Sequence, residues 1–132
     1  MFQGEWRVTR VDVAPSPVQA LVPNDPTYMG ARLVVTPRRL SWRGGAPPTL
    51  NEVCVMPAFE PADEPAGKLL RDYYEADVLP EAKRAPAATL GCGQGPFGPE
   101  AAGGAIAVRL APDRMALTWY DGAILILERV AP

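Results

Sequence analysis

Histidine is absent from this sequence of 132 residues, and its absence limits the chemistry open to the chain. Without an imidazole there is no Ser-His or Cys-His nucleophile pair, no histidine metal ligand and no histidine acid or base near neutral pH. Most familiar hydrolase mechanisms are therefore excluded. We assign no catalytic residue, and we expect neither a metal ion nor a cofactor.

The two cysteines, Cys54 and Cys92, are the next residues with chemical potential. An even cysteine count in a small domain rich in proline and glycine is typical of one disulfide formed in an oxidising compartment. In the chain-entropy model, such a bridge stabilises the fold by about 3 to 4 kcal/mol. Two buried free thiols in a cytosolic protein are the alternative interpretation. No CxxC pair is present that would indicate a metal site.

Carboxylates remain available to a histidine-free enzyme. Asp72, Glu75 and Asp77 surround Tyr73 and Tyr74. Charges in such a cluster usually form a solvated face, and nothing in the spacing fixes a pair at the separation that acid and base catalysis requires. An enzyme that shapes a reactive substrate in its interior is kept as one alternative.

The first strand suggests a polar site inside the fold. If Trp6 points inward, strict alternation places Val8, Arg10 and Asp12 on the same inward face. Arg10 and Asp12 would then pair with each other or orient a polar ligand group, whereas a bulge or an early exit of the strand from the barrel, which we favour, would turn both toward water. The predicted ligand-binding residues are Arg10, Asp12, Trp42 and Trp119. Further inward candidates are Leu33, Val35, Leu40, Ile106, Val108, Leu117, Leu125 and Leu127.

The C-terminal third predicts a three-strand meander. Strands are expected at residues 105–110, 115–120 and 123–127. The dipeptide Asp121-Gly122 lies between the last two and suits the positive φ angles of a type I′ turn. This hairpin is the clearest local signal in the sequence.

Earlier segments are also strand-like. Residues 5–13 form a predicted strand, followed by a proline-rich loop over 14–30. Residues 32–36 and 40–43 indicate a second hairpin, and 50–56 a further strand.

The middle of the chain predicts one or two short helices. Apolar spacing suits a helix within residues 67–78, although this segment could also pair as an irregular strand, and Pro80 is at a position that permits the first turn of another helix. The whole pattern predicts one mostly β domain over residues 1–132, a small antiparallel β-barrel of about seven to eight strands.

The two ends of the chain carry a family resemblance. Gly4-Glu5-Trp6 opens the first strand, and Glu128-Arg129-Val130 lies on the last. This pattern resembles the Gly-x-Trp and late-strand arginine of the calycin group, which includes the lipocalins. The resemblance implies that Trp6 closes one end of a barrel and that Arg129 packs across its indole, so both residues would be structural. It implies a fold and leaves function open.

The charge and hydropathy of the chain limit the classes of partner and the cellular compartments that we expect. The chain has 13 Lys and Arg against 15 Asp and Glu, for a net charge of -2 and with no basic run, so we expect no nucleic-acid partner. No apolar stretch reaches the roughly eighteen residues of a membrane span. Glu5, Arg7 and Arg10 interrupt any signal peptide at the start, so the protein is either cytoplasmic or a chain whose leader was removed. The cysteines favour a periplasmic or secreted location.

These observations favour a non-catalytic binding module of the bacterial envelope or secreted fraction. We expect a small apolar or amphipathic ligand at the barrel mouth, under the loop at residues 14–30. The first alternative is a protein inhibitor of an exported hydrolase that acts on its partner through a proline-rich loop. The second is the histidine-free enzyme described above.

Overall fold

Nine antiparallel strands form one curled sheet, as the prediction of a mostly β fold requires. The computed structural model describes residues 2–17, 19–43, 48–95, 97–99 and 104–130. These residues also contain the helix α1 (Ala66–Tyr74) and 3-10 turns at Pro48–Asn51, Pro80–Ala82 and Tyr120–Gly122. The strands are β1 (Gly4–Val13), β2 (Arg32–Val35), β3 (Arg39–Arg43), β4 (Val53–Val55), β5 (Ala58–Pro61), β6 (Ala87–Gly91), β7 (Ile106–Ala111), β8 (Arg114–Thr118) and β9 (Ala123–Arg129).

The sheet consists of two meanders joined through the first and last strands. Its order is β4-β3-β2-β1-β9-β8-β7-β6-β5. Trp6 lies opposite Arg129 and Val13 opposite Ala123, so β1 pairs with β9 along almost its full length. The predicted C-terminal meander is confirmed. At its hairpin, Asp121 and Gly122 both have positive φ, at 59° and 76°, as a type I′ turn requires.

The two edges of the curled sheet meet at a bend between β4 and β5. Ala58 lies opposite Gly91 in the β5–β6 pair, and Val55 forms a bridge with Gln94 in the same register. Residues 53–61 therefore behave as one bent strand, with Met56 at the corner in a left-handed conformation at φ 54°. Counted in this way the barrel has eight strands, in agreement with the prediction.

A disulfide between Cys54 and Cys92 ties the two edges together at this bend, which confirms the predicted pairing. It joins residues 38 positions apart in the sequence. Cys54 is fully buried, so the bridge is part of the interior packing. Disulfides persist in oxidising surroundings, and this one suggests a non-reducing compartment.

Helix α1 covers the outer face of one half of the sheet. Leu70 of this helix is fully buried and packs in one cluster with outward-facing apolar side chains that include Ile106, Ile124 and Ile126. Leu125 and Leu127 alternate with these isoleucines and point into the interior. Strand β9 is therefore buried on both faces, as its unbroken apolar run suggests.

Strands β5 and β6 were missed by the sequence analysis. Their sequences, Ala-Phe-Glu-Pro and Ala-Ala-Thr-Leu-Gly, contain alanine, proline and glycine, which have low strand propensity. Both segments pair because the curled sheet brings them together. The predicted helix within 67–78 is present as α1, and the segment at Pro80 forms a 3-10 turn.

Candidate functional site

A bulge in β1 determines where its polar residues lie. The register with β9 shifts between Val8 and Arg10, so Val11 takes the next inward position and is fully buried. The alternation of inward and outward side chains along β1 is therefore interrupted at this bulge. This is the alternative that we favoured from the sequence. Arg10 and Asp12 lie outside the interior, where Arg10 Nε donates to Asp12 Oδ1 at 3.0 Å and its Nη2 lies 2.9 Å from Glu81 Oε2.

Arg10 therefore connects β1 to the 3-10 turn that carries Glu81. Partial burial acts to lower the pKa of Arg10, but hydrogen bonds and charge attraction from Asp12 and Glu81 outweigh it and raise the pKa. A second arginine, Arg114, lies 3.6 Å from the same Glu81 carboxylate. These contacts link β1, β8 and the 3-10 turn at Pro80–Ala82 on the outer surface of the barrel.

Trp42 and Trp119 fill one end of the interior. Their ring centroids lie 5.3 Å apart, and the Phe97 ring lies 4.9 Å from that of Trp119. Both indoles are buried, and within the described residues neither indole N–H has a hydrogen-bond partner. The two tryptophans were predicted to bind a ligand, but their side chains pack against one another and against Phe97.

The proline-rich loop closes this same end. Leu21 and Tyr28 of the loop are buried in the main core. Asn24 pins the loop to β1: its backbone N–H donates to Val11 O at 2.8 Å, and its side-chain oxygen accepts from Val11 N at 3.0 Å. Inside the barrel, Leu21 and Tyr28 therefore take up space beneath the loop where we expected a ligand, whereas a separate surface depression lies between loop residues 26–31, Arg43 and Leu50. Val18 of the predicted loop lies outside the described residues.

A cavity of about 310 Å³ lies near the opposite end of the barrel, and we call it the mouth cavity. It opens where β1 begins and β2 ends. Its described lining is apolar apart from a few polar groups. The lining residues are Phe2, Gln3, Val35, Thr36, Pro37, Pro57, Phe59, Pro61, Pro86, Ala87, Ala88 and Arg109.

Strand β5 and the segment before it supply one wall of the mouth cavity. Pro57, Phe59 and Pro61 alternate along the chain, and successive alternate residues share one face of a strand. Strand β5 ends the sheet order, and proline is tolerated at such an edge because it has no N–H to donate. The Phe2 ring lies 4.6 Å from that of Phe59, so an aromatic pair contributes to the lining.

Arg109 is the one charged residue among the described lining residues. It is half-buried, and within the described part of the chain its side chain has no ion pair or hydrogen bond. Its backbone N–H donates to Pro86 O at 3.0 Å, which fixes β7 beside this edge of the cavity. The mouth cavity therefore offers an apolar surface with one cationic group.

The sequence analysis missed Arg109 because it assigned the wrong face of β7 to the interior. Ile106 and Val108 were predicted to point inward, yet both pack in the outer cluster beneath α1, while Ala107 belongs to the inner core. A strand buried on both faces has no alternation of polar and apolar residues to set its phase. The sequence signal that could have identified Arg109 is a single charged residue within an otherwise apolar strand.

Trp6 and Arg129 are in contact where the first and last strands pair. The Arg129 guanidinium carbon lies 4.2 Å from the centroid of the Trp6 ring, and the indole N–H donates to Phe2 O at 2.9 Å. Arg129 also donates to the backbone oxygens of Gln3 and Pro112. Gly4 has φ 128°, a conformation that favours glycine, and a Cβ on it would lie 2.6 Å from Arg129 Nη1, so a larger residue would also displace this guanidinium.

The carboxylates near Tyr73 and Tyr74 form exposed ion pairs. Asp72 pairs with Lys68 at 2.9 Å, and Asp77 with Arg71 at 2.6 Å. Burial raises the pKa of both tyrosines, so their phenols stay protonated near neutral pH. Among the described residues, no group of three or more acidic or cysteine side chains is placed to hold a metal ion.

No helix within the described ranges is long and apolar enough to cross a membrane. Comparison of the chain with protein-family models, with curated proteins and with solved structures gives no match in any of the three.

Proposed function

We propose that this protein is a non-catalytic binding module that holds a small apolar or amphipathic ligand in the mouth cavity. The observation that carries the proposal is the 310 Å³ volume, bounded by the Phe2 and Phe59 rings and by proline and alanine side chains. Small-molecule sites have volumes from about 300 Å³ upward, with apolar walls and a few polar groups that fix orientation. The mouth cavity lies at the end of the barrel opposite the loop at residues 14–30, so the proposed ligand position differs from the predicted one under that loop.

Arg109 would meet the polar end of an amphipathic ligand. A guanidinium beside an apolar wall is costly to leave without a partner once the ligand excludes water. Its planar donors can bind a carboxylate in a bidentate manner. An apolar tail against Phe59 with a polar group at Arg109 would use both halves of the cavity.

The proposal also includes the compartment of the protein and its relation to the calycin group. The disulfide supports a periplasmic or secreted location, which is compatible with the expected place in the bacterial envelope or secreted fraction. The contact of Arg129 with Trp6, together with the glycine at position 4, supports a calycin-like barrel.

Blocking the mouth tests the proposal. Pro61 is exposed and lines the cavity, so Pro61→Trp places an indole across it. Glu60→Trp is the matched control, because Glu60 lies on the same strand, is exposed and does not line the cavity. We expect the neutral fluorescent probe N-phenyl-1-naphthylamine to bind the wild type and Glu60→Trp saturably, and Pro61→Trp at least about tenfold more weakly.

Failure of the wild type to bind this probe, or equal binding by all three proteins, would count against the mouth cavity as a ligand site. Native mass spectrometry of the purified protein gives an independent readout. A co-purified small molecule that is present with Glu60→Trp and lost with Pro61→Trp would support the proposal.

An inhibitor of an exported hydrolase is the second candidate, favoured by exposed apolar side chains on a braced loop. Val22 is 55% exposed, yet its backbone N–H donates to Asp25 Oδ2 at 3.1 Å. The Thr27 N–H donates to the same carboxyl at 3.0 Å, and these hydrogen bonds lower the pKa of Asp25. A loop held in one conformation loses little entropy when it enters a partner's cleft.

A panel of secreted serine, cysteine and metalloproteases tests this candidate. Inhibition of one class by the wild type, lost with Val22→Asp and retained with Pro61→Trp, would favour it. Inhibition of none would reject it.

A further inference from the structure

We propose a second binding site, for a phosphate group, on the outer face of β1 and β2, at Arg7 and Arg32. This site is independent of the mouth cavity, which lies on the inner face. Its ligand class is a phosphate monoester or diphosphate, either free in solution or carried by a lipid headgroup.

Three arginines form a row across neighbouring strands. Arg7 lies directly opposite Arg32 in the β1–β2 pair, and Arg32 lies directly opposite Arg43 in the β2–β3 pair. All three are exposed. Like charges placed directly opposite in a sheet repel each other, so the row lowers stability unless an anion compensates it.

The protein's own carboxylates compensate this row only in part. Glu5 lies 3.1 Å from Arg32 and 2.7 Å from Arg43. Arg7 has no ion pair or hydrogen bond from its side chain within the described residues, although Glu128 lies opposite it in the β1–β9 pair. Within the described residues, the Arg7 guanidinium therefore keeps all its N–H groups for a ligand.

A depression in the surface coincides with the uncompensated end of the row. It has a volume of about 210 Å³ and is lined by Arg7, Arg32, Glu128, Arg129 and Val130. The lining contains three arginines and one glutamate; Arg32 is paired with Glu5 and Arg129 lies over the Trp6 ring, so Arg7 is the cation that the described residues leave without an ion pair. Positive charge is thus concentrated where a concave surface is available.

The spacing of the row favours phosphate over carboxylate. Directly opposite residues on antiparallel strands have Cα atoms about 4.5 to 5.5 Å apart, so the guanidiniums of Arg7 and Arg32 can approach one small anion. A phosphate group presents three oxygens and can accept bidentate hydrogen bonds from two arginines, whereas the two oxygens of a carboxylate are satisfied by one.

Thermal unfolding with added anions tests this site. We expect pyrophosphate to raise the Tm of the wild type more than sodium chloride at equal ionic strength, and more than malonate. Arg7→Gln and Arg32→Gln should each weaken pyrophosphate binding, measured by calorimetry, by about tenfold. Arg38→Gln is the control, because Arg38 is exposed on the β2–β3 turn and does not line the depression.

Two further variants separate binding from general charge effects. Arg7→Lys keeps the charge and loses the bidentate fork, so its affinity should fall between wild type and Arg7→Gln. Glu128→Gln removes a competing carboxylate and should strengthen pyrophosphate binding. Each variant is first compared with the wild type by circular dichroism and by its Tm in chloride.

The outcomes separate clearly. Equal loss in Arg38→Gln, an equal shift with malonate, or no shift beyond that with chloride overturns the proposal. Phosphatidylcholine vesicles with and without phosphatidic acid identify the source: sedimentation that requires phosphatidic acid and Arg7 assigns a lipid headgroup, and a pyrophosphate shift without sedimentation assigns a free phosphate.

Discussion

Two fully buried tryptophans differ in what their indole N–H groups contact. Trp6 donates to Phe2 O and lies under Arg129, whereas the N–H of Trp119 has no partner in the described structure. Replacing each with phenylalanine removes a similar volume, so the difference between them isolates the polar contacts. We expect Trp6→Phe to cost about 1 to 2 kcal/mol more than Trp119→Phe in urea unfolding. Equal costs would show that these contacts contribute nothing net.

Tyr74 couples stability to alkaline pH. Its hydroxyl donates to Ala123 O at 3.2 Å, and burial, aided by Tyr73, raises its pKa above the ordinary value of 10.0. A raised folded pKa means that this contribution to stability is complete below about pH 10 and is lost as the pH rises through the folded pKa. We expect Tyr74→Phe to reduce the fall in unfolding free energy above pH 10. Tyr73→Phe, at a less buried position, should reduce it less.

At the scale of elements, helix α1 is held by its buried face. Leu70 is fully buried against the outer face of the sheet, while the neighbouring Arg71 is exposed. We expect Leu70→Ala to destabilise the protein by about 2 to 5 kcal/mol and Arg71→Ala by no more than about 1 kcal/mol. Chemical denaturation of both variants measures this difference. A small effect of Leu70→Ala would mean that α1 is not part of the cooperative fold.

The disulfide ties the two edges of the sheet together at the bend between β4 and β5. Cys54→Ala combined with Cys92→Ala should lower the free energy of unfolding by about 3 to 4 kcal/mol, because the unfolded chain regains the entropy of an open loop. The same loss should follow reduction of the wild type, and reductant should have no effect on the double variant. A double variant or a reduced wild type that unfolds at the same midpoint as the oxidised wild type would contradict this expectation.

Local signals made some elements predictable. The turn at Asp121 and Gly122 requires two residues with positive φ, and Asp-Gly supplies them, so the last hairpin follows from the sequence. The bulge after Val8 depends on pairing with β9, and the pairing of β5 with β6 depends on the curl of the whole sheet. The bulge was anticipated only as the alternative that turns Arg10 and Asp12 toward water, and the pairing of β5 with β6 has no strong local signal in the sequence.

The candidate site was less predictable for the same reason. Trp42 and Trp119 were correctly placed inside, but sequence does not say whether an aromatic side chain lines a cavity or fills it. Arg109 became a candidate only when the phase of β7 and the position of the cavity were known. Which side chains of β7 point inward depends on whether the other face of the strand is also buried. Here the outer face is buried by α1, a helix nearly forty positions earlier in the sequence.

At the scale of the whole molecule, the outer surface has two halves of different character. Helix α1 and apolar side chains cover β7 to β9, whereas the outer faces of β1 to β3 carry the exposed arginines and Glu5. The inner face holds the mouth cavity. A ligand inside and an anion outside would therefore bind to opposite faces of strands in the same sheet.

The bent strand at residues 53–61 also separates the chain into two parts. The chain before Met56 forms one meander and the chain after it the other, and they meet along β1 and β9 and at the Cys54–Cys92 bridge. We expect two separately produced fragments, residues 1–56 and 57–132, to reconstitute one particle by fragment complementation under oxidising conditions. Size-exclusion chromatography and non-reducing electrophoresis would detect it, and fragments that stay apart would show that a continuous backbone at Met56 is essential.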